Sequence, residues 1–251
     1  MEPARLVGGA RHRLKAMAHA TQLPLALTIA DHARFDTFGG AANEAAMEHV
    51  RAVAAGRPDT LWLWGAQGSG KTHLLQAACR AAAAAERRVM YLPLHLALDP
   101  DILGGLDAVE LLAVDDVDRV ARASEWERAL FVLLNGVTER RRGLLLAARA
   151  APAAVGFALA DLASRAGGAI GYRLKPLDDG ERLVALQGHA AARGLELERA
   201  AAEYLLARVD RDMAGLRLWL ERLDRASLAE QRKITIPFIR ELLAAGGARS
   251  E

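Results

Sequence analysis

The chain has 251 residues, 52% of them apolar, which is enough for a sizeable core and too apolar for a disordered chain. Lys and Arg number 33 against 31 Asp and Glu, a net charge of +2 that argues against a dedicated DNA-binding surface. One cysteine, Cys79, excludes an internal disulfide framework and fits a reducing compartment, where it reads as a small buried side chain in an alanine-rich helix. No run of about 18 uncharged apolar residues is present, and the first 20 residues lack the continuous apolar stretch of a signal peptide, so the expectation is a cytoplasmic protein without a membrane segment. Of the 33 basic residues only 4 are lysines, a skew that makes each lysine conspicuous, Lys71 above all.

Residues 1–20 read as a loose tail, with Met17 a second candidate start. The apolar patch Gln22-Leu23-Pro24-Leu25-Ala26-Leu27 follows, and Phe35 and Phe38 open the folded part. A helix is expected over 41–55, ended by Gly56 and Pro58. Leu61-Trp62-Leu63-Trp64 reads as a buried strand, followed by a helix from Lys71 to about Arg87 and a strand over 88–92. Leu111–Val114 and Leu144–Ala147 are further buried strands. Trp126, Leu130, Leu133, Leu134 and Val137 recur at helical spacing between them. Strands alternating with helices indicate an α/β fold with a parallel sheet flanked by helices. After a last strand at Tyr172–Leu174 the pattern becomes helical. Asp178 and Glu181 form a candidate capping box, Gly194 ends that helix, two more run over 198–209 and 212–229, and Pro237 sits in the first turn of the last. The expected organisation is a tail over 1–32, a nucleotide-binding base over 33–176 and a small all-helical lid over 177–251.

Gly65-Ala66-Gln67-Gly68-Ser69-Gly70-Lys71-Thr72 matches the Walker A pattern in full, between a predicted strand and a predicted helix. The glycines let successive N–H groups face one anion, and the helix that follows adds its positive end. Lys71 is suited to the terminal phosphates and the Thr72 hydroxyl to Mg²⁺. Asp115 ends a strand about forty residues later, where a Walker B acid holds Mg²⁺ through water, and Asp116 is placed to orient an attacking water. ATP or ADP with Mg²⁺ is the expected cofactor.

These motifs and the helical lid resemble the AAA+ family near the DnaA initiator. Asp161-Leu162-Ala163-Ser164-Arg165 is similar to that family's box VII segment. Leu223–Ser227 with Gln231–Phe238 is similar to the lid of its Hda branch, the regulatory-inactivation factors. The resemblance covers about residues 22–244 and implies several things. Arg165 becomes an arginine finger presented to a nucleotide on a neighbouring molecule, with DnaA as the partner. Gln22, Leu23, Leu25 and Leu27 become a peptide for the replication sliding clamp, the polymerase III beta subunit. DNA is then reached only through the clamp, at the nucleoid, and a homo-oligomer is allowed. No C-terminal DNA-binding domain of the DnaA type is expected.

Two departures from the family pattern bear on hydrolysis. Leu146-Ala147-Ala148-Arg149 stands where relatives carry a polar sensor 1 residue and offers alanines, and Ala214 of Asp212–Leu216 stands where a sensor 2 arginine is usual. Their loss implies that the chain holds nucleotide, ADP foremost, as a structural ligand and turns over little ATP itself. A self-contained ATPase of helicase-loader type, a non-catalytic adaptor and a truncated initiator are the alternatives.

Overall fold

The computed structural model describes residues 33–96, 99–209 and 213–247. Its centre is a five-stranded, wholly parallel sheet: β1 (Thr60–Trp64), β2 (Val89–Pro93), β3 (Leu111–Asp115), β4 (Gly143–Ala148) and β5 (Ile170–Arg173), in the spatial order β2-β3-β4-β1-β5. Each predicted strand is present, with small shifts at the ends: β2 starts at Val89, and the last strand begins two residues earlier than Tyr172 and ends at Arg173.

Side chains alternate across the sheet because a strand's period is two. Trp62, Leu112, Val114, Leu144 and Leu146 face one layer, where α3 (Ser124–Glu139) and α5 (Ala160–Gly167) pack. Leu61, Leu63, Leu111, Ala113, Leu145 and Ala147 face the other, covered by α1 (Glu44–Ala54) and α2 (Lys71–Ala84). Each fully buried leucine is worth roughly 1.5–3 kcal/mol. Both faces are therefore dry along the central strands β1, β3 and β4, as a parallel sheet requires, while the edge strand β5 is largely exposed. Cys79 lies in α2, fully buried, and burial pushes its thiol up to about 12, so it is a packing residue.

The predicted helix over 41–55 divides into a 3₁₀ turn (Ala41–Asn43) and α1, and the helix expected to reach Arg87 ends at Ala84. A short helix, α4 (Pro152–Val155), precedes α5, and neither was outlined by the apolar pattern. Beyond β5, α6 (Asp179–Ala191), α7 (Arg199–Leu206), α8 (Met213–Glu230) and α9 (Ile236–Gly247) bury a separate apolar cluster that includes Leu186, Leu205, Leu220, Leu223 and Phe238. The expected capping box is formed: Asp178 accepts from the Glu181 N–H at 2.7 Å and Glu181 accepts from the Asp178 N–H at 3.1 Å. Among the described residues no helix is long and apolar enough to cross a membrane.

Polar contacts tie these helices to the sheet layers. Glu181 also accepts from the Ala41 N–H at 3.0 Å. Asn43, buried, donates to the Lys175 carbonyl and accepts from the Lys175 N–H, both at 2.9 Å, so one amide side chain pairs with both backbone groups of the connecting segment. Asn43→Ala strands both groups. Its expected cost is about 1–3 kcal/mol in urea-induced unfolding, with no change in the denaturant slope.

Candidate functional site

In a parallel sheet, loops that follow the strands gather at the carboxyl edge. The segment 65–70 leaves β1 there and turns directly into α2. Gly70 has a left-handed backbone, φ +92°, and a Cβ on it would stand 2.6 Å from the Phe38 ring. At Gly65 a Cβ would stand 2.5 Å from the Leu174 carbonyl oxygen. Any larger residue at either place would push the loop away from the strand edge. Lys71 is buried, its Nζ donating to the Gly65 and Ala66 carbonyls at 2.8 and 2.9 Å. Burial lowers its pKa, while Asp115, Asp116 and Asp118 oppose that shift.

Thr72 and Asp115, the two residues assigned to Mg²⁺, meet at the end of β3: the hydroxyl donates to Asp115 Oδ2 at 2.6 Å. Tyr91 donates to the same oxygen at 3.0 Å and the Asp116 N–H to Oδ1 at 3.0 Å. Burial pushes the Asp115 carboxyl up, and the Thr72 and Tyr91 hydrogen bonds act against it. A hydroxyl and a buried carboxylate side by side, at the start of a helix, are donors of the kind Mg²⁺ takes beside phosphate oxygens. Among the described residues no cluster of three or more His, Cys, Asp or Glu could hold a metal by itself, so such an ion would depend on phosphate and water ligands.

Gln67, Gly68, Gly70, Lys71 and Thr72 line a cleft of about 360 Å³. Phe38, His73, Leu177, Ala185 and His189 also line it, so base and lid both contribute. The His73 and His189 rings meet edge to face with centroids 5.7 Å apart. Asp116 also lines the cleft, in a left-handed conformation with φ 58°, its Oδ2 paired with His95 Nδ1 at 2.8 Å.

Several of these residues were not singled out in the sequence. His95, Arg119 and Arg149 line the cleft together with Asp116. The segment 146–149, which offers alanines where relatives carry a polar sensor 1 residue, also brings Arg149 to the cleft. Ala147 and Ala148 are wholly buried in β4, and Arg149, the first residue past the strand, brings a guanidinium to the cleft. The signal was its place immediately after a strand, but the strand's last residue cannot be read from an apolar run that continues into alanines. Ala214 falls in the first turn of α8.

Arg165 lies in the last turn of α5, exposed and apart from the residues that line the chain's own cleft. Its guanidinium makes no hydrogen bond or ion pair among the described residues. Arg182, by contrast, bonds Asp179 and the Leu177 carbonyl. Gln22, Leu23, Leu25 and Leu27 lie outside the described residues.

Glu127, also absent from the sequence reading, is 1% exposed in the first turn of α3. Burial pushes its carboxyl up, but N–H donors from Arg122, Ala158 and Leu159 outweigh this and hold it below the usual glutamate range.

Two family models match the chain: the bacterial DnaA ATPase domain over residues 29–96 and the Hda lid domain over residues 179–243. Among solved structures, domain III of the Thermotoga maritima replication initiation protein DnaA aligns with TM-score 0.73 and 22% identity over 87% of this chain and 98% of that one. AMPPCP-bound DnaA from Aquifex aeolicus aligns with TM-score 0.65 and 22% identity over 78% and 66%. The RuvB Holliday junction branch migration motor of Thermotoga maritima aligns with TM-score 0.62 and 18% identity over 84% and 71%. The five-stranded sheet, the loop at its carboxyl edge and the helical lid are those of an AAA+ protein. The two family matches narrow this: the chain belongs with the DnaA-related AAA+ proteins and is Hda-like.

Lys71→Ala is expected to abolish the rise in melting temperature produced by ADP or ATP. Arg149→Ala should weaken ATP more than ADP, by about 10-fold if the guanidinium reaches the third phosphate. Differential scanning fluorimetry across a nucleotide titration checks both. Because folding depresses the Glu127 pKa, its stabilisation is present above about pH 4.3 and is lost as pH falls through the folded value. The stability gap between wild type and Glu127→Gln should therefore be full above about pH 5 and shrink as pH falls below about 4, as read by urea unfolding.

Proposed function

We propose that this protein is a negative regulator of replication initiation that acts on DnaA. Joined DnaA-type ATPase and Hda-type lid matches carry this reading. The chain docks on ATP-bound DnaA and Arg165 completes the hydrolytic site there. A guanidinium in that position neutralises charge developing on the transferred phosphoryl, an effect of roughly 10³–10⁵ in rate when supplied in trans. What supports the role of Arg165 is its exposure at the end of α5, away from the chain's own cleft and without an ion-pair partner among the described residues. A surface arginine held in a salt bridge would be less available for that task.

The N-terminal peptide Gln22–Leu27 tethers the chain to the DNA-loaded sliding clamp, offering one amide for hydrogen bonding and leucines for an apolar pocket. Tethering raises the regulator's concentration at newly replicated DNA. DNA itself is touched only indirectly, and the protein works in the cytoplasm at the nucleoid.

The chain's own cleft holds a nucleotide, with Lys71 and the loop's N–H groups on the phosphates and Thr72 and Asp115 on Mg²⁺. Bound there, Mg²⁺ neutralises phosphate charge and orders the ligand. ADP, held structurally, suits a chain that lacks a sensor 2 arginine. A second reading, an autonomous ATPase, gains from Arg149 and the Asp116–His95 pair, which leave a cation and an acid beside the phosphate loop.

One experiment separates the readings: single-turnover hydrolysis of DnaA-bound ATP in the presence of DNA-loaded clamp. Wild type should stimulate it, Arg165→Ala should abolish stimulation, and Gln22→Ala should weaken it. Brisk steady-state turnover by the isolated chain, with no stimulation of DnaA, would establish the autonomous ATPase instead.

A further inference from the structure

Helix α5, which carries Arg165, has eight residues, about two turns, and is too short to be stable by itself. Its N-cap, Leu159, makes no side-chain cap bond. The N–H of that residue is one of the orphan donors that a glutamate in the helix's own first turn commonly satisfies. Here the carboxylate comes from another helix. Glu127 Oε2 in α3 accepts from the Leu159 N–H at 2.7 Å, and Oε1 accepts from Ala158 N–H at 3.0 Å and Arg122 N–H at 2.6 Å.

Burying a carboxylate is unfavourable, and here the cost is offset mainly by backbone N–H donors, with a smaller contribution from the charge of Arg122. A leucine or methionine would fill the space but leave three backbone N–H groups unpaired. The carboxylate pairs them and, in doing so, gives direction. Three N–H groups from two separate segments converge on one rigidly held group, and its charge lies at the positive end of α5. Leu162 and Ala166, both buried, seat α5 in the core shared with α3, and the Glu127 carboxylate adds a polar anchor at its N-terminus. Arg165 is six residues beyond Leu159, about 9 Å along the axis, so a swing of about 20° moves its Cα by about 3 Å. Displacements of about 1 Å already cost about 100-fold where catalysis depends on positioning.

We propose that Glu127 is the positioning residue for Arg165, its carboxylate setting the direction of the two-turn helix that presents the guanidinium to a neighbouring molecule's nucleotide. The inference rests on the reading of Arg165 as acting in trans.

The test compares wild type with Glu127→Gln, Glu127→Asp and Arg165→Ala in single-turnover hydrolysis of DnaA-bound ATP with DNA-loaded clamp. Maximal rate and half-saturating concentration are measured separately. Thermal unfolding and ADP binding of each variant are followed alongside, with hydrogen exchange of the α5 amides. Glutamine keeps one acceptor oxygen and sets an NH₂ against one backbone N–H, and aspartate withdraws the carboxylate by a methylene. Both should lower the maximal rate by about 10–100-fold. Half-saturating concentration and ADP affinity should stay within about twofold, while exchange over 159–167 quickens and the strands keep their protection. Wild-type rates in both Glu127 variants, with Arg165→Ala inactive, overturn the proposal and leave the role of Arg165 standing. Full activity of Arg165→Ala removes that role and the proposal with it. A rate that falls only in step with the folded fraction, ADP binding declining equally, assigns Glu127 to stability alone and also overturns it.

Discussion

A parallel sheet whose central strands β1, β3 and β4 are buried on both faces can present polar groups in few places, and the carboxyl edge is where this molecule concentrates them. Helices close the two faces because parallel strands need crossovers, and the crossovers are themselves amphipathic. Whatever the chain offers a ligand must then come from loops leaving the strand ends. Gly65 to Thr72 leaves β1, His95 follows β2, Asp115 and Asp116 end β3, and Arg149 follows β4. The cleft thus follows from the topology of the sheet.

Crowding at that edge explains why the loop tolerates so little. Gly65 lies against the backbone that leads out of β5, and Gly70 lies under Phe38, which comes from a segment ahead of α1. One turn of chain is therefore wedged between parts of the protein more than thirty residues to either side. The phosphate loop is held by the Lys71 side chain on its carbonyls, and the lid meets the cleft through the His73 and His189 rings. Lid and base also meet through the Asn43 and Glu181 bonds near the connecting segment.

The two halves of the proposed activity occupy different surfaces. The cleft is built from side chains that hold one another: Lys71 on the loop carbonyls, Thr72 and Tyr91 on Asp115, His95 on Asp116. Arg165 is exposed on a short helix whose direction depends on neighbours. A group meant to meet another molecule's nucleotide has to stay unpaired in its own chain, and a helix of two turns achieves this only if something else holds it. Glu127 is the buried polar residue placed to do so.

Much of this was legible in the order of residues alone. Apolar runs closed by glycine or aspartate located the strands because burial on both faces leaves no alternation to confuse, and the spacing of Gly65, Gly70, Lys71 and Thr72 is local chemistry that survives in one dimension. The capping box of Asp178 and Glu181 was readable for the same reason, since its partners are three residues apart. Only the tertiary structure decided which residues face the cleft from other strand ends. His95 and Asp116 are 21 residues apart and Arg149 lies 33 beyond Asp116, so their meeting depends on strand order β2-β3-β4 and on where each strand stops. Asn43 and Glu127 were invisible for a related reason. Asn43's partners are 132 residues away, Glu127's are 5, 31 and 32 away, and a backbone N–H carries no mark in the sequence to show which side chain it will meet.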